Sequence, residues 1–407
     1  MSIIAKKINY APEMLQPYPW SAYDVLYDLV LIIPACNESD IISTIDSLES
    51  CDYEERYAVI LLINESQQCS SECSSVNNRC YDQIRSYKQK TSNQDIYVYY
   101  VSDIAPKKAG VGLARRLAMD QAVMICESSH TPIVNLDADC QVNKAYLSEI
   151  AQYANDNSKV ELINIHYEHP YDHEPIIQYE LHLRYFIEVQ RYLKLPYAYH
   201  TVGSSFAVRA GAYTQVGRMN LRKAGEDFYF IHKFTKKGTM GICPDAIVIP
   251  SSRSSDRVPF GTGRAMIEME GLQHYNTYNI QSFLVLRPLL ETVSSLYGAK
   301  QEVLAQTLRE ALPLGAQGYF NSVSFVENIT KLSNNAKTFE TFEKAFYQWF
   351  DAFKLMKYLH HMRDHGYDDQ RVMQQAREML LLLDNDADFI EMSSSELLTE
   401  YRSIQKR

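Results

Sequence analysis

The sequence has no apolar run long enough to cross a bilayer; its longest, at residues 29–33 and 58–63, are the length of single strands. It also lacks an excess of basic charge. Lys and Arg number 40 against 50 Asp and Glu, a net charge of −10, and the acids form no block. That composition excludes a general nucleic-acid or anionic-membrane binder, whose phosphate contacts need a basic surface, but it leaves room for a local basic pocket. The start, Met1-Ser2-Ile3-Ile4-Ala5-Lys6-Lys7, has no hydrophobic region and cleavage site of a signal peptide. Eight cysteines in so long a chain suit a reducing compartment better than a disulfide framework. We therefore expect a cytoplasmic protein with no transmembrane segment and no nucleic-acid partner, with peripheral membrane contact left open. Cys69, Cys73 and Cys80 cluster in a polar stretch. A zinc site there would want a fourth ligand and no His is near, so free thiols are expected.

What is present is enough apolar residue, 46%, for a sizeable core, and at 407 residues for one large or two domains. A short apolar run, Leu29-Val30-Leu31-Ile32-Ile33, ends at Pro34-Ala35-Cys36-Asn37-Glu38 and predicts a buried strand followed by a helix over 41–50. A second strand, 57–66, ends in Asn64-Glu65-Ser66, and a polar helix and a third strand at 96–101 follow. Strand, helix, strand, helix, strand is the doubly wound pattern, whose ligands sit beyond the strands' C-terminal ends. Residues 1–24, rich in aromatics and proline, read as an extended arm.

The next helix opens on Lys107-Lys108-Ala109-Gly110-Val111-Gly112 and carries Arg115 and Arg116 one turn in. Free backbone N–H groups, the helix dipole and these cations make a phosphate-friendly start; a solvated basic turn is the plainer alternative. The helix leads into Pro132-Ile133-Val134-Asn135-Leu136-Asp137-Ala138-Asp139, a buried strand ended by two carboxylates one residue apart. On an extended chain both leave on one side, so one can meet a divalent cation and the other a nearby ligand. Few oxygen ligands, with the rest of the shell left to phosphate and water, suit Mg²⁺ or Mn²⁺. Further on, His166, His169 and His173 lie around two prolines, where a loop-lining role is expected rather than a metal. Helix 176–195 shows an aromatic stripe of the kind that packs a core. Gly203-Ser204-Ser205 enters a strand, with Gly203 allowing close backbone approach. Glu226-Asp227 opens an apolar helix, where the acids serve as a cap or set one carboxylate beside a substrate hydroxyl as general base. From about Met266 glycine thins and helical periodicity takes over. Residues 342–356 predict one long helix stopping near Gly366, and 372–383 another, with no catalytic constellation.

The strand ending at residues 34–38, the basic glycine-bearing helix start at 107–116, Asp137 with Asp139, and Glu226-Asp227 stand in one order. That order resembles the family 2 glycosyltransferases over about residues 28–265. The resemblance implies a GT-A fold: α/β, Rossmann-like, a mixed and mostly parallel sheet, here with a C-terminal α-helical region. It implies a transferase domain at 1–265 and a helical domain at 266–407. The donor would be a nucleotide-diphosphate sugar, and the acceptor a glycan, glycolipid or small molecule. Pro34, Asn37, Glu38 and Asn64 would belong to the nucleotide pocket, Lys108 and Arg115 would lie near the nucleotide, and Gly203 would border the sugar. Asp137 would sit by the nucleoside and metal, and Asp139 would bind the metal, Mn²⁺ or Mg²⁺. Asp227 would deprotonate the acceptor hydroxyl, with Glu226 orienting it, and transfer would invert the anomeric carbon. The sequence departs from the family in carrying Asn64-Glu65-Ser66 where an aspartate is usual, and in lacking the Gln/Arg-x-x-Arg-Trp motif and membrane helices of the polymer synthases. Gly261-Thr262-Gly263-Arg264 would be a mobile loop near the diphosphate, and Asp256 a late metal ligand. Two other readings stay open: a sugar-phosphate nucleotidyltransferase, which would release pyrophosphate, and a non-catalytic nucleotide-sugar-binding protein.

Overall fold

The computed structural model describes residues 25–87, 93–257, 261–384 and 387–406. The expected arm at 1–24 lies outside them. The described chain divides into two compact units, one drawn from Met1–Pro170, Thr201–Ile267 and Lys406–Arg407, the other from Tyr171–His200 and Glu268–Gln405.

The first unit is built on an eight-stranded sheet. Its strands are β1 (Val30–Ala35), β2 (Tyr57–Ser66), β3 (Gln94–Ile104), β4 (Pro132–Asn135), β5 (Cys140–Val142), β6 (Leu162–Tyr167), β7 (Phe206–Arg209) and β8 (Met240–Pro250), in the order β3-β2-β1-β4-β7-β6-β8-β5. Strands β3, β2, β1 and β4 run parallel. Strand β7 is antiparallel to β4 and β6, β8 is parallel to β6, and β5 is antiparallel to β8. The α/β, Rossmann-like, mixed sheet with a helical C-terminal region expected from the sequence is the architecture observed. Parallel strands covered on both faces read as continuous apolar runs, and every residue of β1 is buried.

The helices of this unit are α1 (Ile41–Glu49), α2 (Ser71–Ser86), α3 (Val111–Ile125) and α4 (Tyr146–Asp156), with α6 (Ala210–Gln215), α7 (Glu226–Thr235) and α8 (Thr262–Glu268) further along; α5 (Glu174–Tyr192) falls in the second unit. Helix α3 is buried nearly all round. Its alanines at 114, 118 and 122 are fully inaccessible and let the helix lie close in the core cluster it shares with Val30, Ile32, Ala58 and Ile60. The β1–β4 pairing sets Ile32 opposite Asn135, so the 137–139 turn leaves the sheet beside the end of β1. Ligands of open α/β sheets bind at such a reversal of strand order.

The second unit is mostly helical, with a two-stranded pairing of Asn276–Thr277 and Gln370–Arg371. The long helix predicted from residues 342–356 is two helices, Phe339–Trp349 and Ala352–Arg363. The aromatic spacing carried through the break, but Asp351 stops it: its carboxylate accepts from the Lys354 N–H at 3.0 Å and caps a new start. Segment 171–200, which the sequence reading assigned to residues 1–265, groups with this C-terminal unit. Helix α5 packs against Val372–Leu383 and is joined to the last helix by a buried ionic network: Glu180 takes both the Arg184 Nε at 2.7 Å and the Arg402 fork at 2.7 and 2.8 Å, while Arg184 Nη1 reaches Gln405 at 3.0 Å. No helix among the described residues is long and apolar enough to cross a membrane.

Candidate functional site

The site forms where the sheet's C-terminal ends meet the start of α7. At its centre is Arg115, one turn into α3 and 3% exposed. Nε donates to Glu226 Oε1 at 3.0 Å, Nη1 to the Gly203 carbonyl at 2.7 Å, and Nη2 to Asp137 Oδ1 at 2.7 Å. Burial alone would lower the guanidinium's pKa; the surrounding Asp137, Glu226 and Asp227 carboxylates reverse that and hold it above its ordinary value. The planar fork serves three acceptors from three parts of the chain at once, which a lysine could not do.

Gly203 is required here by space. A Cβ at this position would lie 2.6 Å from Arg115 Nη2 and 2.9 Å from Asp227 Oδ2. Glu226 and Asp227 occupy the first turn of α7, entered through Gly225 in the left-handed region at φ 73°. Glu226 is buried, and Asp227 is partly exposed beside it. Asp227 Oδ1 accepts from the Phe228 N–H at 2.8 Å. Burial and the neighbouring Glu226 push its carboxyl up to about 7, against the pull of Arg115. A carboxylate poised near neutrality is suited to taking a proton from a hydroxyl.

Asp139 belongs to a second group. Glu38, 3% exposed, follows β1 and receives Arg253 Nη2 and Arg257 Nη1 on the same oxygen, Oε1. Arg253 Nη2 also reaches Asp139 Oδ2 at 2.9 Å, and Arg257 Nη1 donates to the Cys36 carbonyl at 2.7 Å. Burial raises the Asp139 carboxyl, as do Asp137 and Glu38, with Arg253 working the other way. The sequence reading singled out Glu38 and Asp139 but not Arg253, which joins them. The cause lies in β5, three residues long and paired across the sheet with β8: Cys140 opposes Pro250, so the residues after Pro250 arrive beside Asp139. So short a strand leaves no periodicity to read.

The remaining predicted residues are spread around this centre. Pro34 is buried in β1 opposite Leu62, and Asn64 is buried in β2. Asn37 has φ 56° and donates its backbone N–H to Asn77 Oδ1 at 2.7 Å. Glu65 accepts from Ser74, Asn77 and Tyr100, tying β2 to α2 and β3. Lys108 is exposed in the turn before α3, apart from the Arg115 hydrogen bonds. The glycines at the α3 start serve packing: a Cβ on Gly110 would lie 3.0 Å from Lys223 Cα, and one on Gly112 2.6 Å from the Asn220 carbonyl. The first turn of α3 therefore lies against segment 220–223. Asp256 is exposed, and in the Gly261–Arg264 stretch Thr262 Oγ1 lies 3.4 Å from His169 Nε2. His166 and His169 are buried, His166 Nε2 lying 3.2 Å from Glu168. All eight cysteines are free thiols.

Among the described residues, no group of three or more His, Cys, Asp or Glu side chains is arranged to hold a metal ion on its own. A cation at Asp139 would complete its shell with water, or with ligand phosphate when a donor is bound, as Mg²⁺ commonly does. The carboxylates fit such an ion in one respect. Asp139 and Glu38 converge on a cationic group, the Arg253 guanidinium, which stands where a positive charge is wanted.

No family model matches the sequence, and no curated protein matches it. Similar solved structures include residues 1–349 of S. aureus TarS in complex with UDP-GlcNAc, 14% identical over 92% of this chain and 91% of that one, with a TM-score of 0.39. The mannosyltransferase PcManGT from Pyrobaculum calidifontis, in complex with GDP-Man and Mn²⁺, is 11% identical over 99% and 97% of the two chains, with a TM-score of 0.38.

Proposed function

We propose that this chain is a glycosyltransferase that moves a sugar from a nucleoside-diphosphate donor to an acceptor hydroxyl. The observation that carries the reading is Arg115. It holds Asp137, at the sheet edge where a nucleotide would bind, and Glu226, next to the carboxylate best suited to act as base. Two chemically different tasks are thereby fixed to one guanidinium.

In this reading Asp227 takes the acceptor proton, a step commonly worth about 10²–10⁴-fold. Glu226, locked by Arg115, orients that base. Gly203 lets Arg115 and Asp227 close onto the backbone that would border the sugar. Asn37, Glu38, Asn64 and Pro34 line the nucleotide end, and Lys108 adds positive charge from the turn before α3. Asp139 would hold Mn²⁺ or Mg²⁺, assisted by Asp137. When bound, the cation would supply electrostatic stabilisation of the departing diphosphate, usually a leading catalytic contribution. Attack by an activated hydroxyl in a single displacement inverts the anomeric carbon. The sheet-bearing unit is then the transfer domain, acting in the cytoplasm on a glycan, glycolipid or small-molecule acceptor.

The test is a thermal-shift screen of nucleoside diphosphates and nucleotide sugars, with and without Mn²⁺, followed by analysis of the released nucleotide. Stabilisation by one base and sugar, with release of a nucleoside diphosphate, is expected. Release of pyrophosphate from a triphosphate would transfer the site to nucleotidyl chemistry. Binding with no turnover of any donor would leave a nucleotide-sugar-binding protein.

A further inference from the structure

We propose that Arg253 and a divalent cation compete for Asp139, so that segment 251–257 is latched onto the site through Glu38 and Asp139 until a cation releases it. The inference deepens the transferase reading and rests on it.

Three separated stretches meet at this point: the turn after β1 through Glu38, the β4–β5 turn through Asp139, and the segment after β8 through Arg253 and Arg257. Arg253 Nη2 bridges Glu38 Oε1 and Asp139 Oδ2, the latter at 2.9 Å. Asp139 Oδ2 cannot give the same lone pair to a guanidinium and to a cation coordinated at about 2.1 Å. Like charges held that close repel strongly in a partly desolvated site. Occupation by metal therefore competes with Arg253 for Asp139.

The segment is the less constrained partner. Residues 251–256 form no helix or strand, and the Arg253 side chain is 36% exposed while the Glu38 side chain is buried. The fixed partner is the carboxylate and the movable one is the arginine. Arg257 shares Glu38 and holds the Cys36 carbonyl at 2.7 Å, so the latch has two points. Once freed, both guanidiniums are available to the anionic phosphates of a donor, which they suit by fork geometry. The latch also keeps two acids at the site compensated while it is empty, where unpaired buried carboxylates would be costly.

The test measures Mn²⁺ binding to the nucleotide-free full chain by electron paramagnetic resonance, for the native protein, Arg253→Gln, Arg253→Lys and Asp139→Asn. Hydrogen exchange over 251–257 is followed in parallel, and melting temperatures confirm folding. Removing the competing charge in Arg253→Gln is expected to tighten Mn²⁺ by about tenfold. Arg253→Lys keeps the charge and stays near the native affinity, and Asp139→Asn loses the ion. Saturating Mn²⁺ speeds exchange of 251–257 in the native chain. Equal Mn²⁺ affinity in the native protein and Arg253→Gln, or no Mn²⁺ binding to either, overturns the proposal. Its failure is separable from that of the transferase reading: the metal titration contains no nucleotide, and the donor screen can succeed or fail independently of it.

Discussion

Arg115 Nε and Glu226 Oε1 lie 3.0 Å apart, joined across 111 positions of sequence, and each side chain is 3% exposed. A buried ion pair is favourable only when the rest of its hydrogen-bonding capacity is met. Here it is, because Arg115 also binds Asp137 and the Gly203 carbonyl.

Replacing Arg115 by methionine leaves Glu226 buried without its countercharge. Breaking such a pair typically costs about 3–5 kcal/mol. We expect Arg115→Met to lower stability by that order in chemical denaturation and to lose donor binding in calorimetry. Arg115→Lys should recover little of either, since an ammonium cannot span the three acceptors.

In the proposed reaction Asp227 sets the pH profile. With its carboxyl pushed up to about 7, the base is protonated below neutrality and active above it. Turnover should rise with pH through a single ionisation near that value, and Asp227→Asn should be slow and flat while still binding donor. The stability sign is opposite. A carboxyl raised in the fold holds its proton more tightly there than in the unfolded chain, so it disfavours folding at pH above about 7 and this penalty fades as pH falls toward the ordinary carboxylate range. Asp227→Asn should therefore melt above the native protein in mildly alkaline buffer, with the gap closing in acid. A constant gap would refute the assignment.

Gly203→Ala tests the space at the centre. The added methyl meets Arg115 Nη2 and Asp227 Oδ2 at 2.6 and 2.9 Å, so those charged groups must shift. A displacement of about 1 Å in catalytic geometry can cost on the order of 10²-fold in rate. We expect such a loss in transfer with circular dichroism unchanged.

In the helical unit, Glu180 is fully inaccessible and bound by Arg184 and Arg402. Arg402→Met should cost about 3–5 kcal/mol locally. The change would appear as faster hydrogen exchange in Glu174–Tyr192 and Ser394–Lys406. Protection left as in the native chain would show that the network does not hold these helices.

The strands at the parallel edge were readable because a buried strand must be apolar throughout, as 29–33 and 58–63 are. Arg115, Asp137, Gly203, Glu226 and Asp227 could be singled out because charge or glycine at an element's end is chemically conspicuous, and the fold brings them together. Arg253 was not readable, since its place depends on the long-range pairing of Cys140 with Pro250. Nor was the break at Asp351, where a capping aspartate interrupts an unbroken aromatic rhythm. The grouping of α5 with the C-terminal unit depends on partners about 200 positions away, the helix Val372–Leu383 and the Arg402 and Gln405 side chains.

Gly110 and Gly112 bring the backbone of α3 against 220–223, at Gly112 directly against main-chain atoms, only a few residues before Glu226 and Asp227. Two main chains in direct contact transmit displacement like a gear mesh, with no rotamer to absorb slack. The first turn of α3 and the chain entering α7 thus share one steric constraint: a methyl at Gly112 would meet the Asn220 and Arg222 carbonyls, which have no rotamer by which to yield.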